Sequence, residues 1–238
     1  MVRDITATLI TKENMAGDVW RFVFRVDGEP LVFAPGQYVL LKIESAFRQY
    51  SISSSPSDGT TLELIVEFIP GGLASTYLGA LAVGAQASFK GPAGIFTLKN
   101  TPTPKIFLAT GTGIAPVKSM VISALENNIG ESVKVFFGLK TRDDIYLEDE
   151  FKALAQEYSQ FDYTICLSRE DSPEGLDAHH VALGRVNMAL DAYFDDSGEK
   201  RDDFEYYLCG SKTIVQSLKE YCLENGVSKE NIHQEMFG

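Results

Sequence analysis

"FLATGTGIAP", residues 107–116, decides the fold. An apolar stretch runs into Gly111-Thr112-Gly113, the opening of a dinucleotide fingerprint. Ile114, Ala115 and Pro116 then stand where two residues and a third glycine would complete it. Gly111 and Gly113 fall between a predicted strand and a predicted helix, where glycine admits positive φ and lets a ligand approach the backbone. The helix N-terminus that follows offers unpaired N–H groups and a partial positive charge to a pyrophosphate. Pro116 suits the first helical position, because the N–H it lacks has no partner there. Taken alone, the stretch fits either a phosphate cradle from Thr110 to Gly113 or an ordinary strand-to-helix turn.

Downstream, "KIFLAT", "VKVFFGL", "YTICLS" and "EYYLCG" alternate with predicted helices at 116–127, 147–158 and 211–225. Strand–helix alternation implies a doubly wound parallel sheet with ligands outside the carboxyl ends of its strands. Upstream the period changes to two. In "WRFVFRV", Trp20, Phe22, Phe24 and Val26 alternate with Val19, Arg21, Val23 and Arg25, and "GQYVLLKIE" and "LELIVEF" behave alike. Turn signals such as Asp27-Gly28, Pro35-Gly36 and Pro70-Gly71-Gly72 separate these runs, which predicts an antiparallel β-barrel. "TPTP" at 101–104 marks the boundary between a barrel over 1–100 and an α/β domain over 101–238.

The 238 residues are 45% hydrophobic and 23% charged, a globular composition. Apolar runs such as Val133–Leu139 are too short to span a bilayer, and the N-terminus mixes charges among its apolar residues, unlike a signal peptide. A net charge of -12 argues against nucleic acid. Cys166, Cys209 and Cys222 form no close-spaced ligand set, and His179, His180 and His233 lack metal-site spacing, so neither an iron–sulfur cluster nor another metal is expected. The odd cysteine count predicts reduced thiols and a cytoplasmic setting.

"RQYS" (48–51), "PGGLASTYL" (70–78), "GPAGIF" (91–96), "GTGIAP" (111–116), "LSRE" (167–170), "CGS" (209–211) and "EMF" (235–237) occur in that order. Together they resemble the ferredoxin–NADP reductase superfamily, which includes flavin reductases and oxygenase reductase modules. The resemblance implies a barrel that binds FAD, an α/β domain that binds NADPH or NADH, and a flavin between them. It places Arg48 on the flavin phosphate, Tyr50 on a ring face and Ser51 near N5, with Gln49 inside the same motif. It also places Gly72, Leu73, Ala74, Ser75 and Thr76 at the flavin pyrophosphate, the N–H groups of Ala74, Ser75 and Thr76 opening a short helix toward it; Ser75 as a cap for its own helix is the structural alternative. The loop Thr110–Gly113 with Pro116 falls to the NAD(P)H pyrophosphate, and Cys209 and Gly210 lie beside the nicotinamide. Ser51, Cys209 and Glu235 then line the hydride contact, and Phe237 matches a C-terminal aromatic that covers the flavin, although Gly238 follows it; a solvated tail is the alternative for both Glu235 and Phe237.

Ser168 and Arg169 end the predicted third strand, where the resemblance puts the adenosine ribose. An Arg there suits a 2′-phosphate, whereas Glu170-Asp171 would repel one. Lys140 and Arg142 in "GLKTRDD" fit either a place near the nucleotide or an exposed loop. The function implied is transfer of a hydride from NAD(P)H to bound FAD and of electrons to a protein such as ferredoxin. Two alternatives are a flavin reductase that releases reduced flavin, and a non-catalytic nucleotide-binding subunit or sensor. An acidic ferredoxin needs a local basic patch, for which Lys12, Arg21, Arg25, Lys42, Lys90 and Lys99 are the candidates.

Overall fold

The computed structural model describes residues 2–237. By its contacts the chain divides into two units: residues up to Lys99 with Ala115–Ser123, and Asn100–Ile114 with the chain from Ala124 onward.

The first unit contains β1 (Arg3–Ala16), β2 (Val19–Val26), β3 (Tyr38–Ile43), β4 (Ala46–Ser51), β5 (Thr61–Glu67), α1 (Leu73–Ala80) and β6 (Gln86–Ala93). Every pairing is antiparallel, in the order β4-β3-β6-β1-β2-β5. The period of two sends Phe22, Phe24 and Val26 of β2 and Leu62, Leu64 and Val66 of β5 into one core, with Trp20 packed partly against it. Each fully buried side chain of this kind contributes about 1.5–3 kcal/mol. The edge strands are drawn onto each other just beyond β4. Ser53 N–H donates to the Glu63 carbonyl at 2.9 Å, and Ser54 Oγ donates to the Thr61 carbonyl at 3.0 Å. The predicted barrel is therefore present, closed by the segment that follows "RQYS".

Two candidates for a basic patch are already engaged inside this unit. Lys12 Nζ donates to the carbonyls of Gly79 and Leu81 at 2.8 and 2.9 Å, capping the C-terminal end of α1. Arg21 lies 3.5 Å from Glu13 and 3.9 Å from Glu63. Glu63 also holds the buried Lys118 at 2.7 Å and accepts from Ser53 Oγ at 2.8 Å.

The second unit runs β7 (Lys105–Thr110), a 3-10 turn (Gly111–Gly113), α2 (Ile114–Glu126, of which Ala115–Ser123 belongs with the first unit), β8 (Val133–Leu139), α3 (Glu148–Glu157) and β9 (Phe161–Leu167). It continues with β10 (Val181–Leu183), α4 (Val186–Ser197), β11 (Glu205–Ser211), α5 (Lys212–Glu224) and β12 (Ile232–Phe237). All its strands are parallel, in the order β10-β9-β8-β7-β11-β12. The order reverses between β7 and β11, so the topological switch point lies at the carboxyl ends of those two strands. Both are buried almost throughout, as expected for central strands covered on two faces. At their amino ends the buried Lys105 Nζ meets Glu205 at 2.8 Å and the Thr101 carbonyl at 3.2 Å, anchoring the "TPTP" segment to the sheet. Burial alone would raise Glu205, but donation from Lys105, Thr101 and Tyr207 outweighs it and holds the carboxyl below its ordinary range.

Two expectations are corrected. Helix α2 starts at Ile114, so Pro116 is its third residue; it still lies in the first turn, where its missing N–H costs nothing. Helix α4 and strand β10 occupy a region with no predicted element, and α4 buries Val186, Leu190 and Phe194 at a helical spacing. The C-terminal "EMF" is no loose tail: β12 pairs with β11 through Phe237. Gly238 lies outside the described residues. Among the described residues no helix is long and apolar enough to cross a membrane.

Candidate functional site

In the first unit, β4 carries Arg48, Gln49, Tyr50 and Ser51, paired with β3 in the register Leu41↔Arg48 to Tyr38↔Ser51. Arg48 is exposed, and among the described residues it donates only to its neighbour, the Phe47 carbonyl at 2.9 Å, leaving the rest of its guanidinium for an anion. Gln49 is exposed; Tyr50 is half-buried against the core, and burial pushes its phenol up while the Arg48 charge acts against that shift. Ser51 is buried, and its Oγ has no hydrogen-bond partner among the described residues. A buried hydroxyl left unpaired carries a desolvation cost of about 1–3 kcal/mol, which a bound polar ligand would relieve.

Helix α1 supplies the second element. No side chain caps it at Gly72, and its first backbone bond runs from Thr76 N–H to the Gly72 carbonyl at 2.9 Å. The N–H groups of Leu73, Ala74 and Ser75 are therefore the ones left for an anion. The sequence expectation named Ala74, Ser75 and Thr76, and Thr76 is corrected because its N–H is spent inside the helix. Ser75 Oγ accepts from Ile69 N–H at 2.8 Å, which folds the Ile69–Gly72 turn back onto the helix. Both readings of Ser75 therefore have a basis: its hydroxyl shapes the turn and its amide stays open.

In the second unit, Thr110, Gly111, Thr112, Gly113, Cys209 and Gly210 gather at the switch point, but the two glycines of the loop differ in kind. Gly111 has φ +51° and nothing within 4 Å of where a Cβ would stand, so its backbone faces open space. Gly113 is buried against β11, where a Cβ would overlap the Cys209 carbonyl, lying 2.6 Å from its carbon and 2.8 Å from Gly210 Cα. Gly113 therefore has a packing reason of its own, because only hydrogen fits between loop and strand. Gly138, which the sequence reading did not single out, and Gly210 flank Thr110 in the same manner. A Cβ on Gly138 would come within 2.9 Å of Thr110 Cγ2, and one on Gly210 would strike Thr110 Oγ1.

Cys209 is fully buried and faces Glu235 in the β11–β12 register. Burial first, then the Glu235 charge, pushes its thiol well above the ordinary range, with a smaller opposing effect from the Gly210 amide. Both effects favour the neutral thiol over the thiolate. Cys166 and Cys222 are buried as well, so burial does not separate Cys209 from them; its place at the switch point does. Phe237 ends β12 half-buried opposite Ser211.

Ser168 and Arg169 follow β9 rather than end it. Ser168 N–H and Oγ both donate to the Leu139 carbonyl, at 3.0 and 3.1 Å, and Arg169 N–H donates to the Lys140 carbonyl at 2.8 Å. Both side chains are exposed at the carboxyl rim of the sheet. Glu170, expected to repel a phosphate, is instead paired with Arg142 at 2.9 Å.

Residues 6–98 match the oxidoreductase FAD-binding domain and residues 107–220 the oxidoreductase NAD-binding domain. Ferredoxin–NADP reductase B of Sorangium cellulosum is 32% identical over 221 residues, covering 90% of this chain and 88% of that protein. The toluate 1,2-dioxygenase electron transfer component of Pseudomonas putida is 31% identical over 210 residues, and the match takes in 87% of this chain but only 59% of that protein. Among solved structures, the Amycolatopsis cytochrome P450 reductase GcoB superposes with a TM-score of 0.86 at 30% identity, covering 99% of this chain and 70% of that one.

Proposed function

The chain belongs to the ferredoxin–NADP reductase superfamily, and from that premise we propose that it oxidises NADPH, holds FAD between turnovers and delivers electrons to a ferredoxin-type protein. The observation that carries this reading is the buried, unpaired Ser51 hydroxyl at the end of the strand that also bears Arg48 and Tyr50. These residues fit FAD: a free guanidinium for phosphate, an apolar phenol face for a ring, and a hydroxyl awaiting a polar atom. The open amides of Leu73, Ala74 and Ser75 add an anion cradle suited to a pyrophosphate, which supports retained FAD over flavin released as product. When bound, FAD accepts a hydride and gives up electrons one at a time.

The chain's own task is placement. Gly111 lets the NAD(P)H pyrophosphate approach the loop, and Arg169 binds at the ribose end. The protonated Cys209 keeps a neutral wall at the switch point, with Glu235 across the strand pair and Phe237 at the far end of β12. Three free, buried cysteines support a cytoplasmic setting.

Purified protein reconstituted with FAD is expected to stay yellow through gel filtration and to bleach on anaerobic addition of NADPH. It should then recover its colour when oxidised ferredoxin is added. A colourless protein that consumes free flavin would favour the flavin reductase. Bound flavin that neither NADPH nor NADH bleaches would sink the enzyme reading altogether.

A further inference from the structure

Arg142 opens the 3-10 turn Arg142–Asp144 after β8, and a capping box between Thr141 and Asp144 fixes its backbone. Its guanidinium reaches well along the chain. Nη2 donates to Glu170 Oε1 at 2.9 Å and to the Ser172 carbonyl at 2.9 Å, Nη1 donates to the Glu174 carbonyl at 2.9 Å, and the backbone N–H donates to Glu170 Oε2 at 3.1 Å. All these acceptors lie in the segment after β9, which also carries Ser168 and Arg169. Each Glu170 oxygen thereby accepts a bond from Arg142, and these hydrogen bonds pull the carboxyl down to about 2, so its charge is compensated by the guanidinium at neutral pH. Arg169, one residue earlier, is exposed and has no side-chain partner among the described residues.

The charge pattern matters because a carboxylate at this rim has a chemistry of its own. An acidic side chain beside the adenosine ribose accepts hydrogen bonds from a 2′-hydroxyl and repels a 2′-phosphate. Resting on the assignment of this rim to the adenosine end of NAD(P)H, we propose that Arg142 is a positioning residue for cofactor choice: by engaging Glu170 it withholds a ribose-accepting carboxylate, leaves Arg169 uncompensated, and so selects the 2′-phosphorylated nucleotide. The other exposed charges around Arg142 are Lys140 and the carboxylates Asp143, Asp171 and Glu174, so Arg169 and Arg142 supply most of the positive charge at this rim. Release of Glu170 would let it pair with Arg169 and turn a phosphate-selecting rim into a diol-selecting one.

The test compares kcat/KM for NADPH and NADH, together with calorimetric affinities for 2′,5′-ADP and 5′-AMP. The proteins are the wild type, Arg142→Gln, Arg142→Gln with Glu170→Gln, and Arg169→Gln. Arg142→Gln is expected to lower the NADPH-to-NADH ratio about tenfold, through KM rather than kcat, and to weaken 2′,5′-ADP in step. Adding Glu170→Gln should restore the ratio, a rescue that a merely structural loss would not show. Equal loss in the single and double variants would mean that Arg142 touches the nucleotide directly, and the proposal fails. An unchanged ratio in Arg142→Gln overturns it too, as does a preference that Arg169→Gln leaves untouched. A wild type that oxidises neither nucleotide would instead overturn the enzymatic reading itself.

Discussion

The molecule offers two candidate phosphate cradles, one in each unit, and they are built on opposite principles. At α1 the opening comes from what is missing: among the described residues no side chain caps Gly72, and three amides at Leu73, Ala74 and Ser75 have no carbonyl to meet. At the β7 loop the opening comes from what is crowded. Gly113, Gly138 and Gly210 let backbone and Thr110 close in on one another, and only Gly111 looks outward. One cradle is a helix end left unfinished; the other is a packing problem solved by glycine, with a single residue turned to the ligand. Glycine next to a phosphate motif is therefore no sufficient sign of ligand contact, because its reason depends on what stands where the Cβ would be.

That contrast can be broken, and the severest trial is Gly113→Val. A side chain there has to displace the backbone of Cys209 and Gly210, at a cost of about 3 kcal/mol in urea denaturation. NAD(P)H oxidation should be lost along with that stability. A variant of normal stability with only a raised KM would return Gly113 to the ligand.

The complementary trial is Leu73→Pro. Proline suits the first helical position, and the extended Gly72 before it (φ -67°, ψ 135°) accepts a following proline. The substitution removes one amide and little else, so the fold should hold while FAD affinity falls about tenfold to thirtyfold by fluorescence titration. Unchanged affinity would show that these amides do not meet the pyrophosphate. Ser51→Ala sharpens the flavin side: the apo-protein should melt at an equal or higher temperature, while hydride transfer slows about tenfold in stopped flow. Loss of apo stability would mean that the hydroxyl serves the fold.

Gly111→Ala should cost about 1 kcal/mol, the strain of a left-handed residue, and its Cβ, standing where the pyrophosphate approaches, should raise the KM for NAD(P)H by a few-fold. Smaller still is an effect of pH. Glu170 titrates at about 2 when folded, against an ordinary value of 4.5, so the unfolded chain binds its proton first as pH falls. The stability this pair supplies is complete above the ordinary glutamate range and is lost as pH drops toward the folded value. The gap in denaturation midpoint between wild type and Arg142→Gln should therefore hold from about pH 6 down to the ordinary glutamate range and narrow from there toward about pH 2.

Much of this architecture was legible in the residues. Strands β7 and β8 carry continuous apolar runs bounded by turn signals, and the alternation in β2 and β5 is regular enough to give both period and face. β12 was not legible, because "IHQEMF" is a half-buried edge with little apolar content, stabilised by pairing with β11 rather than by its own pattern. Helix α4 spreads further apolar residues (Met188, Ala189, Ala192 and Tyr193) around its three core positions, which blurs the helical period. At the site, the motifs identified which residues to inspect but not why each is there. The crowding at Gly113 comes from β11, nearly a hundred residues away, and the Arg142–Glu170 pair spans 28 positions. Contacts of that range leave no periodic trace in the chain.

The placement of the cysteines has a practical side. A catalyst that handles electrons works among peroxide and other oxidants, to which an accessible thiolate is the most vulnerable group in a protein. Here all three thiols are buried, and burial pushes Cys166 and Cys222 up to about 12. Cys209, at the switch point of the sheet, is shifted the same way. The sulfur at the switch point is thus shielded from oxidative wear, and the protein should keep its activity on prolonged exposure to air without added reductant.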